Sequence, residues 1–227
     1  MTWVLANLGL LLDRTLAHLA LAVPSILAAF ALSIPLGWAA FRYRLIRGPL
    51  LTGAGLLYAI PSLPLFVALP ALIGTGARDA VNVIVALTLY GIALMTRSVA
   101  DALAAVPPET HQSATALGYS PWGRFWLVEI PLAGPAILAG LRVVTVSTVS
   151  LVTVSAVLGV DSLGLLFTDG FQRGIVAEVV AGLVLTIVVA LALDAAAVLA
   201  GRILMPWTRV GRPRRRRRAQ PAVEVGV

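Results

Sequence analysis

Long apolar runs decide what this chain can become. Residues 16–41, 49–73, 80–104, 132–158 and 176–204 are almost wholly apolar. Each run is long enough for a helix across a hydrocarbon core of ~30 Å, which takes about 20 residues. A soluble domain carries about 25% charged residues. Here 12% are charged and the mean hydropathy is +0.97, so polar side chains are too scarce to coat a water-facing globule. A backbone in lipid must satisfy its own hydrogen bonds, which helices do. The expected fold is all-α: a polytopic bundle of about five spanning helices plus a helix in a cytoplasmic loop.

Within that plan the second run is unusual, because Pro49, Pro61, Pro64 and Pro70 crowd it. Each proline removes a backbone donor, so this span is expected to be kinked or broken. The opening MTWVLANLGLLL is too short to cross and lacks the basic start of a cleavable signal. Residues 1–15 are therefore expected to lie at the interface, 16–204 to form the membrane domain, and 205–227 a basic cytoplasmic tail.

Arginine placement sets the orientation, because cytoplasmic loops collect positive charge. Arg42, Arg44 and Arg47 fill the first short loop, Arg97, Arg124 and Arg142 lie in or beside the third, and eight more close or follow the fifth run. The other side holds Arg14, Arg78 and Arg173, a split of fourteen to three. The N-terminus is expected outside and the C-terminus in the cytoplasm of a bacterial cell, with the protein in the cytoplasmic membrane. The run Arg212-Pro213-Arg214-Arg215-Arg216-Arg217-Arg218 directly follows a span. It reads as an anchor on anionic headgroups rather than a nucleic-acid contact.

Two residue types are missing. Without cysteine there are no disulfides, thiolate metal sites or thiol nucleophiles. All 17 basic residues are arginine, and a P-loop needs a lysine at the phosphates. Any ATP-driven work must then fall to a partner, and this chain is expected to bind no cofactor or metal itself. His18 and His111 stand far apart with no companion motif and read as satisfied or exposed histidines.

The third loop, 105–130, has internal order. Pro107-Pro108-Glu109 opens a helix, with glutamate at its positive end. Residues 109–117 give two turns, and Gly118 supplies a left-handed stop. Ser120-Pro121 restarts a helix as N-cap and first residue. That helix, WGRFWLVEI, carries Trp122, Phe125 and Trp126, and the next span opens after Pro131. The expectation is a rigid helix–turn–helix with an aromatic surface, projecting into the cytosol. An interfacial hairpin on the headgroups is the plainer alternative.

Charges inside spans need a partner or a job, because each costs at least ~2.5 kcal/mol at mid-span. Arg97 and Asp101 lie one turn apart. Arg142 lies eleven residues past Pro131 and Asp194 eleven before Met205, each ~16 Å along its helix at 1.5 Å per residue. They are expected to pair and brace the fourth and fifth spans, with a pathway role for Arg142 as the rival. Thr145, Ser147, Thr148, Ser150, Thr153 and Ser155 put six hydroxyls into eleven residues. They either return to helix carbonyls or face a hydrated path. Gly159 and Gly164 bracket Asp161 in an outer loop expected to dip inward as part of a gate.

The loop resembles the E-A-A-x3-G-x9-I-x-L-P segment of binding-protein-dependent ABC permeases. The matching residues are Gln112-Ser113-Ala114, Gly118 and Val128-Glu129-Ile130-Pro131, with Gln-Ser in place of the opening E-A. Tyr58-Ala59-Ile60-Pro61-Ser62-Leu63-Pro64-Leu65 is similar to the Q-T-I-P-S-L-A-L segment of betaine, carnitine and choline permeases. Leu89-Tyr90-Gly91, Ala139-Gly140-Leu141-Arg142 and Leu158-Gly159-Val160-Asp161-Ser162-Leu163-Gly164 follow that subfamily in order. The likeness covers roughly residues 16–200.

The resemblance implies a type I ABC importer permease for a small osmoprotectant such as glycine betaine, choline or carnitine. A methionine or other amino-acid permease is the near alternative. A standalone secondary transporter or channel is remoter, because no inverted repeat is visible. It further implies a coupling site at Glu109, Gln112, Ser113, Ala114, Leu117, Gly118, Ile130 and Pro131. The partners implied are a separate subunit that binds the ATP, a second permease subunit as homodimer or heterodimer, an extracytoplasmic substrate-binding protein, and membrane lipid, with no nucleic acid. Pathway or gate candidates are Tyr58, Pro61, Ser62, Tyr90, Arg142, Ser147 and Asp161, with Phe66 beside the tyrosines as a weaker cation–π candidate.

Overall fold

The computed structural model describes residues 2–209. The arginine-rich tail expected to anchor the protein lies outside the described residues. Among those described, ten α-helices follow one another with no strand: α1 (Thr2–Ala6), α2 (Leu8–Arg42), α3 (Arg44–Ala59), α4 (Ser62–Ile73), α5 (Ala80–Ala104), α6 (Pro108–Ala116), α7 (Pro121–Arg124), α8 (Ile130–Val152), α9 (Gly164–Gln172) and α10 (Val176–Leu204). Four helical stretches, α2, α5, Pro121–Leu158 and α10, are long and apolar enough to cross a membrane alone. The bent pair α3–α4 makes a fifth, broken span.

Two boundaries differ from the sequence expectation. The first span starts at Leu8, so residues 8–15, read as interfacial, are its opening turns. Nothing there breaks a helix, and Leu8, Leu12 and Leu16 stay exposed on one side. The fourth span starts earlier too. Residues 121–130, expected as a separate short helix, run without a stop through a π-turn at Phe125–Glu129 into α8. Pro131 lacks the N–H an α-helix would need there. The wider i→i+5 turn, in which Ile130 N–H reaches the Phe125 carbonyl, absorbs the defect without ending the helix.

The second span is broken, as its prolines predict. Ile60 precedes Pro61 and is pushed out of the helical region to φ −65°, ψ 127°. The two halves meet at 104°.

Packing centres on α5, which lies against α2 and α8, while α8 in turn carries α10. Small residues let α2 and α5 approach closely. A Cβ built on Gly91 would stand 2.4 Å from the Ala29 Cβ, and one on Gly37 would stand 2.5 Å from the Val99 Cβ. Helices in lipid associate through such close packing, since the surrounding chains are as apolar as leucine. Elsewhere the apolar surface stays open. Along its 29 residues α10 buries only Glu178, Gly182, Val189 and Gly201, and α3 buries none. That exposure suits lipid or another subunit and would be untenable in water.

If the α2–α5 seam holds the bundle, Gly91→Leu overpacks it and should cost about 1–3 kcal/mol. Thermal unfolding in detergent measures this. Gly9→Leu, where nothing stands within 4 Å of a built Cβ, should melt like the parent.

Candidate functional site

The third loop is built as its turn residues dictate. Pro107 caps α6 and Pro108 opens it, and Gly118 takes the left-handed conformation at φ +86°. Ser120 Oγ then accepts the Gly123 N–H at 3.1 Å, starting α7. On α6 and at its C-cap, Glu109, Gln112, Ser113 and Leu117 are exposed, Leu117 to 79%. Ala114 is not among them. It is buried at 5%, on the side of α6 turned to the protein, so anything docking on this helix meets Leu117 instead. Ile130 and Pro131 are half-buried at the base of the fourth span.

A buried carboxylate holds the loop to that span. Glu129 is 2% exposed, and its Oε1 accepts from Arg124 Nε at 2.8 Å and lies 3.1 Å from His111 Nδ1. Arg124 also donates to Thr115 Oγ1 at 2.9 Å. The His111 ring stacks on Phe41 at the end of α2, with centroids 5.8 Å apart. So α6 is fastened to α7, to the fourth span and to the first. A carboxylate this deep is tolerable only with such donors around it. Sequence reading missed Glu129 and dismissed His111. The signal available was an acidic residue inside the apolar run LVEIPL.

The loop's aromatic residues turn inward more than expected. Phe125 is 2% exposed and packs on Trp38 of α2 at 5.6 Å. Trp122 and Trp126 extend the cluster and stay partly open. The hairpin is therefore docked on the first span, with only part of its aromatic surface left open.

At the break in the second span the gate candidates come together. Tyr90 Oη donates to the Ile60 carbonyl at 2.6 Å, an acceptor the broken helix leaves free. The Tyr58 and Tyr90 rings meet edge-to-face at 6.0 Å. Pro61 caps α4 and Ser62 starts it. Phe66 is fully buried, so it offers no ring face to a passing cation.

Arg142 and Asp194, placed at equal depth by the sequence, form a two-point pair at 2.7 and 2.8 Å that links α8 to α10. Asp101 serves both Arg97 at 3.8 Å and Arg47 at 3.3 Å. Of the span-four hydroxyls, Thr145, Thr153 and Ser155 return to carbonyls of their own helix. Ser147 is half-buried. Asp161 is exposed and paired with Arg14, while its neighbours Val160, Leu163 and Leu166 sink into the core. The loop thus dips inward, although Asp161 itself stays at the rim. His18 is buried, with Nε2 3.1 Å from the Val149 carbonyl. No group of three or more metal-ligating side chains occurs among the described residues.

Glu129→Ala should cost about 3 kcal/mol or more by stranding Arg124, read as a lowered melting temperature in detergent. Glu129→Gln keeps the shape and should cost less.

Comparison with known proteins fits this geometry. The osmoprotectant import permease protein OsmW of Salmonella typhimurium is 32% identical over 156 residues, covering 67% of this chain and 72% of that protein. The choline transport system permease protein OpuBB of Bacillus subtilis is 27% identical, over 70% and 72% of the two chains. The ergothioneine transport permease/ergothioneine binding protein EgtU of Helicobacter pylori is 37% identical over 60% of this chain but only 24% of its own length. In fold, the chain superposes on the inward-facing MetNI methionine ABC transporter with a TM-score of 0.77 at 20% identity, covering 88% of this chain and 98% of that one. A family model described as the binding-protein-dependent transport system inner membrane component matches residues 14–210. The chain belongs to that family of ABC importer permeases.

Proposed function

We propose that this protein is the permease subunit of an ABC importer for a small osmoprotectant of the betaine, choline and carnitine class, worked by a separate ATPase that docks on α6. The observation that carries the coupling role is the Glu129–Arg124–His111 knot, because it makes α6 and the fourth span one body. A push on α6 then reaches the membrane instead of bending a loop. By the same reading ATP is bound by the partner, a second permease subunit completes the pathway, and an extracytoplasmic protein supplies substrate. The lysine-free sequence supports the first point. The unburied faces of α3 and α10 support the second. The family's description supports the third.

The substrate class rests on OsmW and OpuBB, whose names specify osmoprotectant and choline. Likeness to the methionine transporter, at 20% identity, speaks for the fold and not for an amino-acid cargo. Orientation follows the arginines. Arg47, Arg97 and Arg124 gather at the α6 end, and Arg14 and Arg78 line one cavity at the other. This supports an outer N-terminus and a cytoplasmic α6 and C-terminus in the cytoplasmic membrane.

Within the cycle, ATP-driven closure of two ATPase subunits would draw the paired α6 helices together and turn the fourth spans. The Arg142–Asp194 pair would carry that turn to the fifth. The broken second span, its free carbonyl held by Tyr90, supplies a hinge beside the path.

In cells whose other betaine importers are deleted, labelled glycine betaine uptake at high salt should depend on this chain. Leu117→Arg should abolish both uptake and retention of an ATPase by the tagged protein. Uptake unaffected by that change, with no ATPase retained by the parent, would overturn the docking role.

A further inference from the structure

Where the third loop docks on α2, an apolar groove of about 530 Å³ is left between them. Ala31, Ile34, Pro35 and Trp38 form one wall, on a single stripe of α2 at i, i+3, i+4 and i+7. Trp122 of α7 and Phe125 and Trp126 of the π-turn form the other. Phe125 is buried at the floor, while Ala31, Pro35, Trp122 and Trp126 stay exposed. The groove therefore opens on the outside of the bundle, and no charged side chain lines it.

Depth and charge decide what fits. Phe30, the deepest lining residue on α2, stands twelve residues before Arg42, ~18 Å along the helix, and Trp38 four before it, ~6 Å. The groove thus runs through about one leaflet, half of a ~30 Å hydrocarbon core. Arg42 follows Trp38 by one turn on the same stripe and closes α2. Arg44 opens α3 just beyond Tyr43, whose ring meets Trp38 edge-to-face at 6.1 Å. Arg47 is committed to Asp101 at 3.3 Å. Arg42 and Arg44 have no hydrogen-bond or ion-pair partner among the described residues. Two unpaired cations therefore stand at the headgroup end of an apolar slot lined with three indoles, and tryptophan collects at that depth.

We infer that this groove holds one anionic phospholipid, its acyl chain between α2 and the aromatic start of the fourth span and its phosphate on Arg42 and Arg44. Arginine suits that task, since its fork matches a phosphate at two points. An extended peptide would bring backbone N–H and C=O groups to walls almost without polar partners, at a cost for each. An acyl chain asks for none. The lipid fills the wedge between the first span and the loop, beside the Phe41–His111 stack that ties the two together. The inference needs only the membrane setting and is independent of cargo and of ATPase docking.

Tryptophan fluorescence tests it. With Trp3→Phe and Trp207→Phe, the full chain emits from the three groove indoles alone. It is reconstituted in phosphatidylcholine vesicles in which a minor fraction of the lipid carries brominated chains, as either phosphatidylglycerol or phosphatidylcholine. Bromine quenches an indole it touches. Brominated phosphatidylglycerol should quench more strongly, with a preference of about fivefold per arginine, and added salt should shrink the difference. Arg42→Gln with Arg44→Gln should lower that preference at least about tenfold. Ala31→Phe, at an exposed position that folding should tolerate, fills the groove and should reduce quenching by phosphatidylglycerol with both arginines in place. Equal quenching by the two lipids in the parent overturns the proposal, and is the result expected if a second copy of this chain covers the groove. An unchanged preference in the double arginine variant overturns it too. Quenching undiminished in Ala31→Phe would put the lipid on the arginines outside the groove, and the proposal fails there as well.

Discussion

Glu129 is the group on which the α6 end of the bundle depends. A carboxylate at 2% exposure has lost its water and must be given donors. Those donors, Arg124 and His111, come from different arms of the loop. Satisfying one buried charge therefore fixes the angle between α6 and the fourth span. The π-turn at 125–129 belongs to the same solution, because it carries the helix past Pro131 without a stop. The proposed coupling role asks for a stiff loop, and here stiffness follows from a desolvated charge and an uninterrupted helix.

A second constraint runs through the membrane part. At three interruptions the freed carbonyl meets a side-chain donor instead of lipid. Tyr90 donates to Ile60 at the break in the second span. His18 sits at Val149, whose usual partner Thr153 instead turns back to Leu151 and Ser150 as the fourth span tightens into a 3₁₀ turn. The Trp207 indole donates at 3.2 Å to the Pro131 carbonyl, which Pro135, four residues on, has no N–H to reach. These donors let the helices change direction inside a medium that punishes open backbone. They also locate the bends, which is where a transporter must move.

Much of this was legible in the sequence because it rests on local rules. Run length gave the spans, proline density the broken one, and Gly118 and Ser120 the turns of the loop. Equal depth sufficed to bring Arg142 to Asp194. What escaped notice was set by packing across the chain. His111 and Glu129 are 18 residues apart, and no periodicity joins them. His18, read as a satisfied or exposed histidine, is indeed satisfied, but by a carbonyl 131 residues away that no local pattern could name. Ala114 was grouped with the docking residues by its place in the motif, yet the helical turn it occupies points inward. The start of the fourth span was misjudged for the opposite reason: proline usually marks a boundary, and here a π-turn overrides it.

The central claim is that α6 is the handle of a motor on another polypeptide. Because the chain has no cysteine, Leu117→Cys introduces a unique thiol on the exposed face of that helix. Thiol crosslinking in intact membranes should join this position to a nucleotide-hydrolysing subunit, and a membrane-impermeant maleimide should reach it only from the cytoplasmic side. Labelling from the outside, or a thiol that crosslinks to no such subunit, would contradict the account.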